Sequence, residues 1–136
     1  MENVLVNNRN NNEGQQKVLI INQGTAYIKK LSKLIAEKTL AHVLGHASNL
    51  NEGYKMFVDS NPDWIFISTN LPDGNWVKAL AYLKNIKPEL KVILITDPLD
   101  KFTNRELKEA NIYDCLDKSM ALEKIPGIIN RITKLN

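Results

Sequence analysis

Cysteine is almost absent from this sequence: Cys115 is the only one among 136 residues. An internal disulfide is therefore excluded, which agrees with a reducing compartment. No stretch approaches the roughly 18 consecutive apolar residues that a membrane-spanning helix needs. The first residues also lack the basic start and apolar core of a signal peptide. We therefore expect a cytoplasmic protein that does not interact with membranes.

Clustered charge of one sign is lacking as well. The chain has 18 Lys and Arg residues against 15 Asp and Glu residues, a formal net charge of +3, and the basic residues are scattered. A nucleic-acid-binding domain usually concentrates its basic residues on one face and places aromatic residues between them. We therefore expect no direct nucleic-acid binding by this domain.

Motifs that would indicate catalysis or a cofactor are also missing. The segment Gln23-Gly24-Thr25-Ala26 has one glycine and no lysine, unlike nucleotide-binding loops. His42 and His46 fall in a predicted strand, where residues four apart are separated by about 13 Å, and no cysteine or acid completes a zinc site. Cys115 has no nearby histidine to activate its thiol, so we expect a small buried apolar residue there. The sequence predicts no enzyme activity, no metal and no cofactor.

The chain divides into a polar tail and one folded domain. Residues 7–16 contain no apolar residue and cannot repay the entropy of ordering, so residues 1–16 are predicted to be a disordered, Asn-rich tail. Residues 17–136 have the size of a single domain.

A regular alternation of two patterns fills the folded domain. Continuous apolar runs, typical of strands buried on both faces, occupy residues 17–22, 63–68 and 91–96, with shorter ones at 41–46 and 113–117. Helical spacing recurs between them, as in the set Gly53, Tyr54, Phe57 and Val58. The last helix is expected to carry Pro126 in its first turn. The alternation predicts an α/β fold with one doubly wound, five-stranded parallel sheet in the order 2-1-3-4-5 and helices on both faces.

Such a sheet places its working site beyond the carboxyl ends of the strands. Residues 17 to about 134 resemble a response-regulator receiver domain, a CheY-like, flavodoxin-like fold. The segments that carry the resemblance are Asn61-Pro62-Asp63 before the third strand, Asn70-Leu71-Pro72 after it, the fourth-strand stretch from Pro88 to Thr96, and Lys118 after the fifth strand.

The resemblance implies a phosphorylation site that this sequence has lost in part. In the family, two acids after strand one and an aspartate after strand three hold Mg²⁺. That aspartate alone accepts the phosphoryl group, whose oxygens a hydroxyl after strand four and a lysine after strand five then hold. In this sequence, neutral residues stand at the positions of the acidic pair and of the acceptor aspartate, whereas the hydroxyl and the lysine are kept. This degenerate phosphorylation pocket consists of Asn22, Gln23, Ser68, Thr96 and Lys118.

Three further departures accompany this loss. Asp97 stands where the family prefers a small residue, and Asn75-Trp76 replaces an acidic residue and a glycine. Cys115 occupies the switch position, where the family has an aromatic residue. Lys118 is expected to pair with Asp97 or Asp117, or to reach Asn22 or Ser68, because a partly buried ammonium needs a partner.

We therefore expect a degenerate pseudo-receiver that regulates by protein–protein interaction. The resemblance implies that a protein partner, or a second copy in a homodimer, binds the face formed by the fourth helix, fifth strand and fifth helix. Its candidate residues are Lys101, Arg105, Lys108, Glu109, Asp114, Lys124 and Arg131. The alternative is a sensor that binds a small molecule or an anion in the altered pocket.

Overall fold

The computed structural model describes residues 15–97, 102 and 104–133. Its five strands are β1 Lys17–Ile21, β2 His42–Ala47, β3 Trp64–Ser68, β4 Lys91–Thr96 and β5 Asp114–Asp117. All pairings are parallel, in the order β2-β1-β3-β4-β5. The predicted fold class and strand order are therefore confirmed.

Five helices cover the two faces of the sheet: α1 Thr25–Lys38, α2 Leu50–Ser60, α3 Trp76–Ile86, α4 Asn104–Glu109 and α5 Lys118–Thr133. Helices α1 and α5 pack on one face around Ile28 and Ile125. Helices α2 and α3 pack on the other face around Phe57 and Leu80. Because β1, β3 and β4 lie between these layers, nearly all of their side chains are buried. This burial explains the continuous apolar runs in their sequences.

The edge strand β2 is shifted by one residue from its predicted position at residues 41–46. His42 and His46 are both exposed on it, and no group of three or more potential metal ligands occurs in the part of the chain that is described. No helix within that part is long and apolar enough to cross a membrane.

The boundary between tail and domain lies slightly earlier than predicted. The tail prediction for residues 1–14 falls outside the described residues, but Gln15 and Gln16 contact the domain. Gln15 Nε2 donates to the Leu40 carbonyl at 3.1 Å, and Gln16 Oε1 accepts the indole N–H of Trp64 at 3.0 Å. A buried indole N–H needs an acceptor, so Gln16 belongs to the packed domain.

The expectation for Pro126 was wrong. Helix α5 begins at Lys118, directly after β5, so that Pro126 lies in its interior. The early start is stabilised by Asp117, whose Oδ1 accepts the backbone N–H of Met120 at 2.9 Å and caps the first turn. Burial of Ala121, Ile125 and other apolar residues on both sides of the proline offsets its cost of about 3 kcal/mol in a helix interior.

Candidate functional site

The carboxyl edge of the sheet brings the polar residues of the candidate site together. Ser68 ends β3 and is paired in register with Ile95 of β4, while Thr96 ends β4 and is paired with Asp117 of β5. Asn22 follows β1, which neighbours β3, and Lys118 follows β5. All these positions therefore lie at one edge, because parallel strands end on the same side.

Asn22 is buried, with only 2% of its surface exposed. Its side-chain Oδ1 accepts the backbone N–H of Gly24 at 2.8 Å, which fixes the turn between β1 and α1. Its Nδ2 has no hydrogen-bond partner among the residues that the structure describes. The neighbouring Gln23 is exposed. The first two positions of the site therefore present one inward and one outward amide, and neither carries a charge.

Ser68 is also buried, and its hydroxyl takes part in a local turn. The side-chain Oγ accepts the backbone N–H of Asn70 at 3.1 Å, and 5% of the residue is exposed. This contact between a serine and the residue two positions later is common at strand ends. Thr96, at 8% exposure, lies on the adjacent strand. The edge thus contains two hydroxyl groups and no carboxylate at the acceptor position.

Lys118 contacts two groups that come from different parts of the chain. Its Nζ lies 3.9 Å from Oδ1 of Asp97, one of its predicted partners, and 5.9 Å from the ring centre of Tyr27. The Tyr27 hydroxyl donates to the Lys118 carbonyl at 2.9 Å. Burial, with a smaller contribution from Asp117, raises the pKa of Tyr27 to about 12. The tyrosine therefore stays neutral at physiological pH.

Tyr27 was not among the site residues predicted from the sequence. The available signal was its position in the first turn of the helix that follows β1, which brings it close to the carboxyl edge.

Cys115 was predicted to be buried, and it is only half-buried on β5. It packs at the margin of the core on the α2–α3 side, beside partly buried residues such as Phe102 and Leu107. The short helix α4 has no fully buried residue, so this margin of the core is less completely covered than its centre.

The altered turn after β3 has structural roles that the sequence did not reveal. Asn75 caps α3, since its side chain accepts the backbone N–H of Val77 at 2.7 Å. Trp76 is 8% exposed, and its ring meets Phe102 edge-on with ring centres 5.3 Å apart. Of the two residues that replace the family's acidic residue and glycine, Asn75 thus caps α3 and Trp76 packs against Phe102.

The predicted interaction face is polar in its described residues. On α4, Arg105 and Glu109 form an ion pair at 3.0 Å, and both side chains are largely exposed. Asp114, Lys124 and Arg131 line one shallow depression between β5 and α5. Lys108 is exposed on α4, and the prediction for Lys101 falls outside the described residues.

Comparison with known proteins agrees with the geometry. The fold and the position of the polar edge define a receiver-type α/β domain. A family model for the response regulator receiver domain matches residues 18–130, and the chain belongs to that family. The family places this domain within two-component-type signalling.

Curated relatives are distant in sequence. The chain is 23% identical over 119 residues to the chemotaxis protein CheY of Thermotoga maritima, a match that covers 88% of this chain and 98% of that protein. It is 21% identical over 119 residues to the DNA-binding transcriptional regulator NtrC of Azospirillum brasilense, covering 88% of this chain but 24% of that protein.

Solved structures share the fold. The isolated receiver domain of RcsB from Salmonella enterica has a TM-score of 0.78 at 14% identity, with 90% of this chain and 91% of that chain covered. A LuxR-family DNA-binding response regulator from Staphylococcus aureus has a TM-score of 0.76 at 16% identity, with 87% and 98% covered.

Proposed function

We propose that this chain is a pseudo-receiver, a receiver domain that is not phosphorylated and regulates by binding another protein. The observation that carries the proposal is the neutral chemistry of Asn22, Gln23 and Ser68 at the carboxyl edge. Magnesium ions are usually bound through one or two carboxylates, and these three side chains supply none. A serine hydroxyl cannot form an acyl phosphate, and the hydroxyl of Ser68 is buried and accepts the backbone N–H of Asn70.

The phosphate-holding half of the site supports the same proposal. Lys118 is kept, but Asp97 supplies a carboxylate 3.9 Å from its ammonium group. An incoming anion would have to compete with this carboxylate for the lysine. Because no ligand then distinguishes an active from an inactive state, partner binding is constitutive and follows the abundance of the two proteins.

The proposed binding surface is the face formed by α4, β5 and α5. Its positive and negative side chains suit a polar interface with a protein, whether a different chain or a second copy. The proposal includes a cytoplasmic location, no enzyme activity and no direct contact of this domain with nucleic acid.

The phosphorylation test uses acetyl phosphate and MgCl₂, followed by intact mass spectrometry. We expect no gain of a phosphoryl group, while a receiver domain with an intact acidic pair and aspartate, treated in parallel, gains one. A stoichiometric phosphoryl adduct on this chain would contradict the proposal.

The switching test measures the affinity of a partner for this chain with and without beryllofluoride and magnesium. We expect equal affinities. A tenfold difference, which corresponds to about 1.4 kcal/mol of coupling, would show that a switch survives.

A second candidate function is favoured by one observation: Nδ2 of Asn22 is buried and has no partner within the described part of the chain. A buried donor without an acceptor costs about 1–3 kcal/mol, and an oxygen of a bound small molecule or anion would remove that cost. Thermal unfolding with inorganic phosphate, sulfate and neutral metabolites tests this sensor function. Stabilisation that saturates in the natural chain and disappears in both Asn22→Ala and Lys118→Ala would favour the sensor over the pseudo-receiver.

A further inference from the structure

Exposed apolar side chains are concentrated on the outer surface of α2 and α3. Val58 is 66% exposed, Tyr82 53% and Ile86 50%, and the half-buried Tyr54 lies beside them. We call Tyr54, Val58, Tyr82 and Ile86 the α2–α3 patch. Single exposed apolar residues are ordinary on protein surfaces, but contiguous ones mark interaction sites.

The contiguity of the patch follows from the helix geometry. The rings of Tyr54 and Tyr82 meet edge-on with centres 5.4 Å apart, which joins the two helices at this level. Val58 lies four residues beyond Tyr54, and Ile86 lies four residues beyond Tyr82, so each pair shares one helix face. Each of the two helices connects one parallel strand of the sheet to the next, so the two helices run in the same direction. The patch is therefore two rows, a tyrosine row and an aliphatic row one turn further on.

Two opposite charges border the patch on α2. Lys55 and Asp59 are exposed, and with Tyr54 and Val58 they line a shallow groove. Within the described part of the chain, neither of them has an ion-pair partner. Other pairs at the same spacing are joined, including Lys33 with Glu37 on α1. The groove thus offers one unpaired positive and one unpaired negative charge, a helical turn apart.

We propose that the α2–α3 patch binds the same patch of a second copy of this chain. A two-fold axis that lies in the plane of the patch and crosses both helices stacks the tyrosine row of one copy on the aliphatic row of the other. The same axis sets Lys55 of one copy opposite Asp59 of the second copy, and the contact occurs twice by symmetry.

The charge pattern is the reason for choosing a second copy over a different protein. A two-fold interface requires a surface that complements itself, and a lysine and an aspartate placed on either side of the axis meet this requirement. This dimer leaves the face formed by α4, β5 and α5 open for the proposed partner. The inference does not depend on whether the domain is phosphorylated.

Charge reversal with sedimentation velocity of the full chain, over a range of concentrations, tests the inference. Lys55→Asp or Asp59→Lys alone sets like charges opposite each other twice, and we expect each to weaken dimerisation about tenfold or more. The double variant Lys55→Asp with Asp59→Lys exchanges the signs and restores complementarity, so its dimer affinity returns to near the natural value. Both positions are exposed, so the variants keep the fold, and circular dichroism melting verifies this.

A matched control reverses a charge on the opposite side of the sheet. Lys30→Glu on α1, an exposed position outside every proposed binding surface, is expected to leave the dimer affinity unchanged. A chain that is monomeric at every concentration overturns the inference and leaves the patch to a different protein. A dimer that Lys30→Glu disrupts overturns it too. So does a dimer that tolerates the single reversals, or one that the double variant fails to restore.

Discussion

Restoring three acids at the carboxyl edge should restore magnesium binding. The triple variant Asn22→Asp, Gln23→Asp, Ser68→Asp replaces two residues that are only 2% and 5% exposed, Asn22 and Ser68, by carboxylates. The backbone N–H of Gly24 still donates to one oxygen of residue 22, but the oxygen in place of Nδ2 has no donor. Burying such charges costs about 3–5 kcal/mol, so the metal-free variant should melt on the order of 10 °C below the natural chain.

Magnesium should recover part of this loss in the variant only. A ligand at ten times its Kd stabilises the folded state by about 1.4 kcal/mol, and at a hundred times by about 2.7 kcal/mol. For a domain of this size these values raise Tm by about 5–10 °C. The natural chain supplies no carboxylate at the three positions, so its Tm should not respond specifically to magnesium.

Calorimetric melting at increasing MgCl₂ and constant ionic strength measures the effect. The matched control carries Asn22→Asp and Gln23→Asp with Ser68→Asn, which keeps the shape of the third side chain without its charge and should respond more weakly. Switching by beryllofluoride should stay absent even in the triple variant, because Cys115 still replaces the aromatic residue. Saturable stabilisation of the natural chain by magnesium, or a folded triple variant that ignores the ion, would refute the reasoning.

Three further predictions concern residues that hold the edge in place. The carboxylate of Asp73 accepts two backbone N–H groups of α2 at 2.7 and 3.0 Å, which lowers its pKa below the ordinary 3.8. Its stabilisation is therefore present above pH 3.8 and lost as the pH falls through the folded-state pKa, and Asp73→Ala should lower Tm at pH 7 but converge with the natural chain in acid melts. A Cβ at Gly53 would lie 2.7 Å from Cδ1 of Ile21, so overpacking of about 1–3 kcal/mol should exceed the helix gain of about 1 kcal/mol. Urea unfolding should show Gly53→Ala to be less stable than the natural chain. A Cβ added at Gly127 would meet no neighbouring atom within 4 Å, so Gly127→Ala should be more stable than the natural chain. Tyr27 has a folded pKa of about 12 against an ordinary 10.0, so its contribution is full below pH 10 and is lost as the pH rises toward 12. Raising the pH from 10 to 12 should therefore lower the free energy of unfolding more in the natural chain than in Tyr27→Phe. Parallel curves of unfolding free energy against pH would contradict the raised pKa of Tyr27.

The pattern of the sequence was sufficient to predict the sheet. Runs such as residues 91–96 are mainly apolar because both faces of β4 are covered. Burial on both faces favours an apolar residue at nearly every position of the strand. The strand order follows from right-handed crossovers between parallel strands. The same topology also placed Asn22, Ser68 and Thr96 at one edge, since it fixes where each strand ends.

Helical segments carried less information. The spacing of Gly53, Tyr54, Phe57 and Val58 predicted a helix correctly, but only Gly53 and Phe57 are buried whereas Val58 is 66% exposed. A helical period marks a broad face and does not tell its core-facing centre from its margin. The α2–α3 patch could therefore not be predicted from the sequence, because it depends on how the two helices pack beside each other.

The sequence by itself determined the fold class, the strand order and the chemical identity of the residues at the carboxyl edge. Local hydrogen bonds and distant contacts decided the rest. The start of α5 depends on the cap that Asp117 provides, which placed Pro126 inside the helix. Lys118 and Tyr27 are 91 residues apart in the chain. Such a contact depends on how distant segments pack together, so it cannot be predicted from the spacing of residues along one segment.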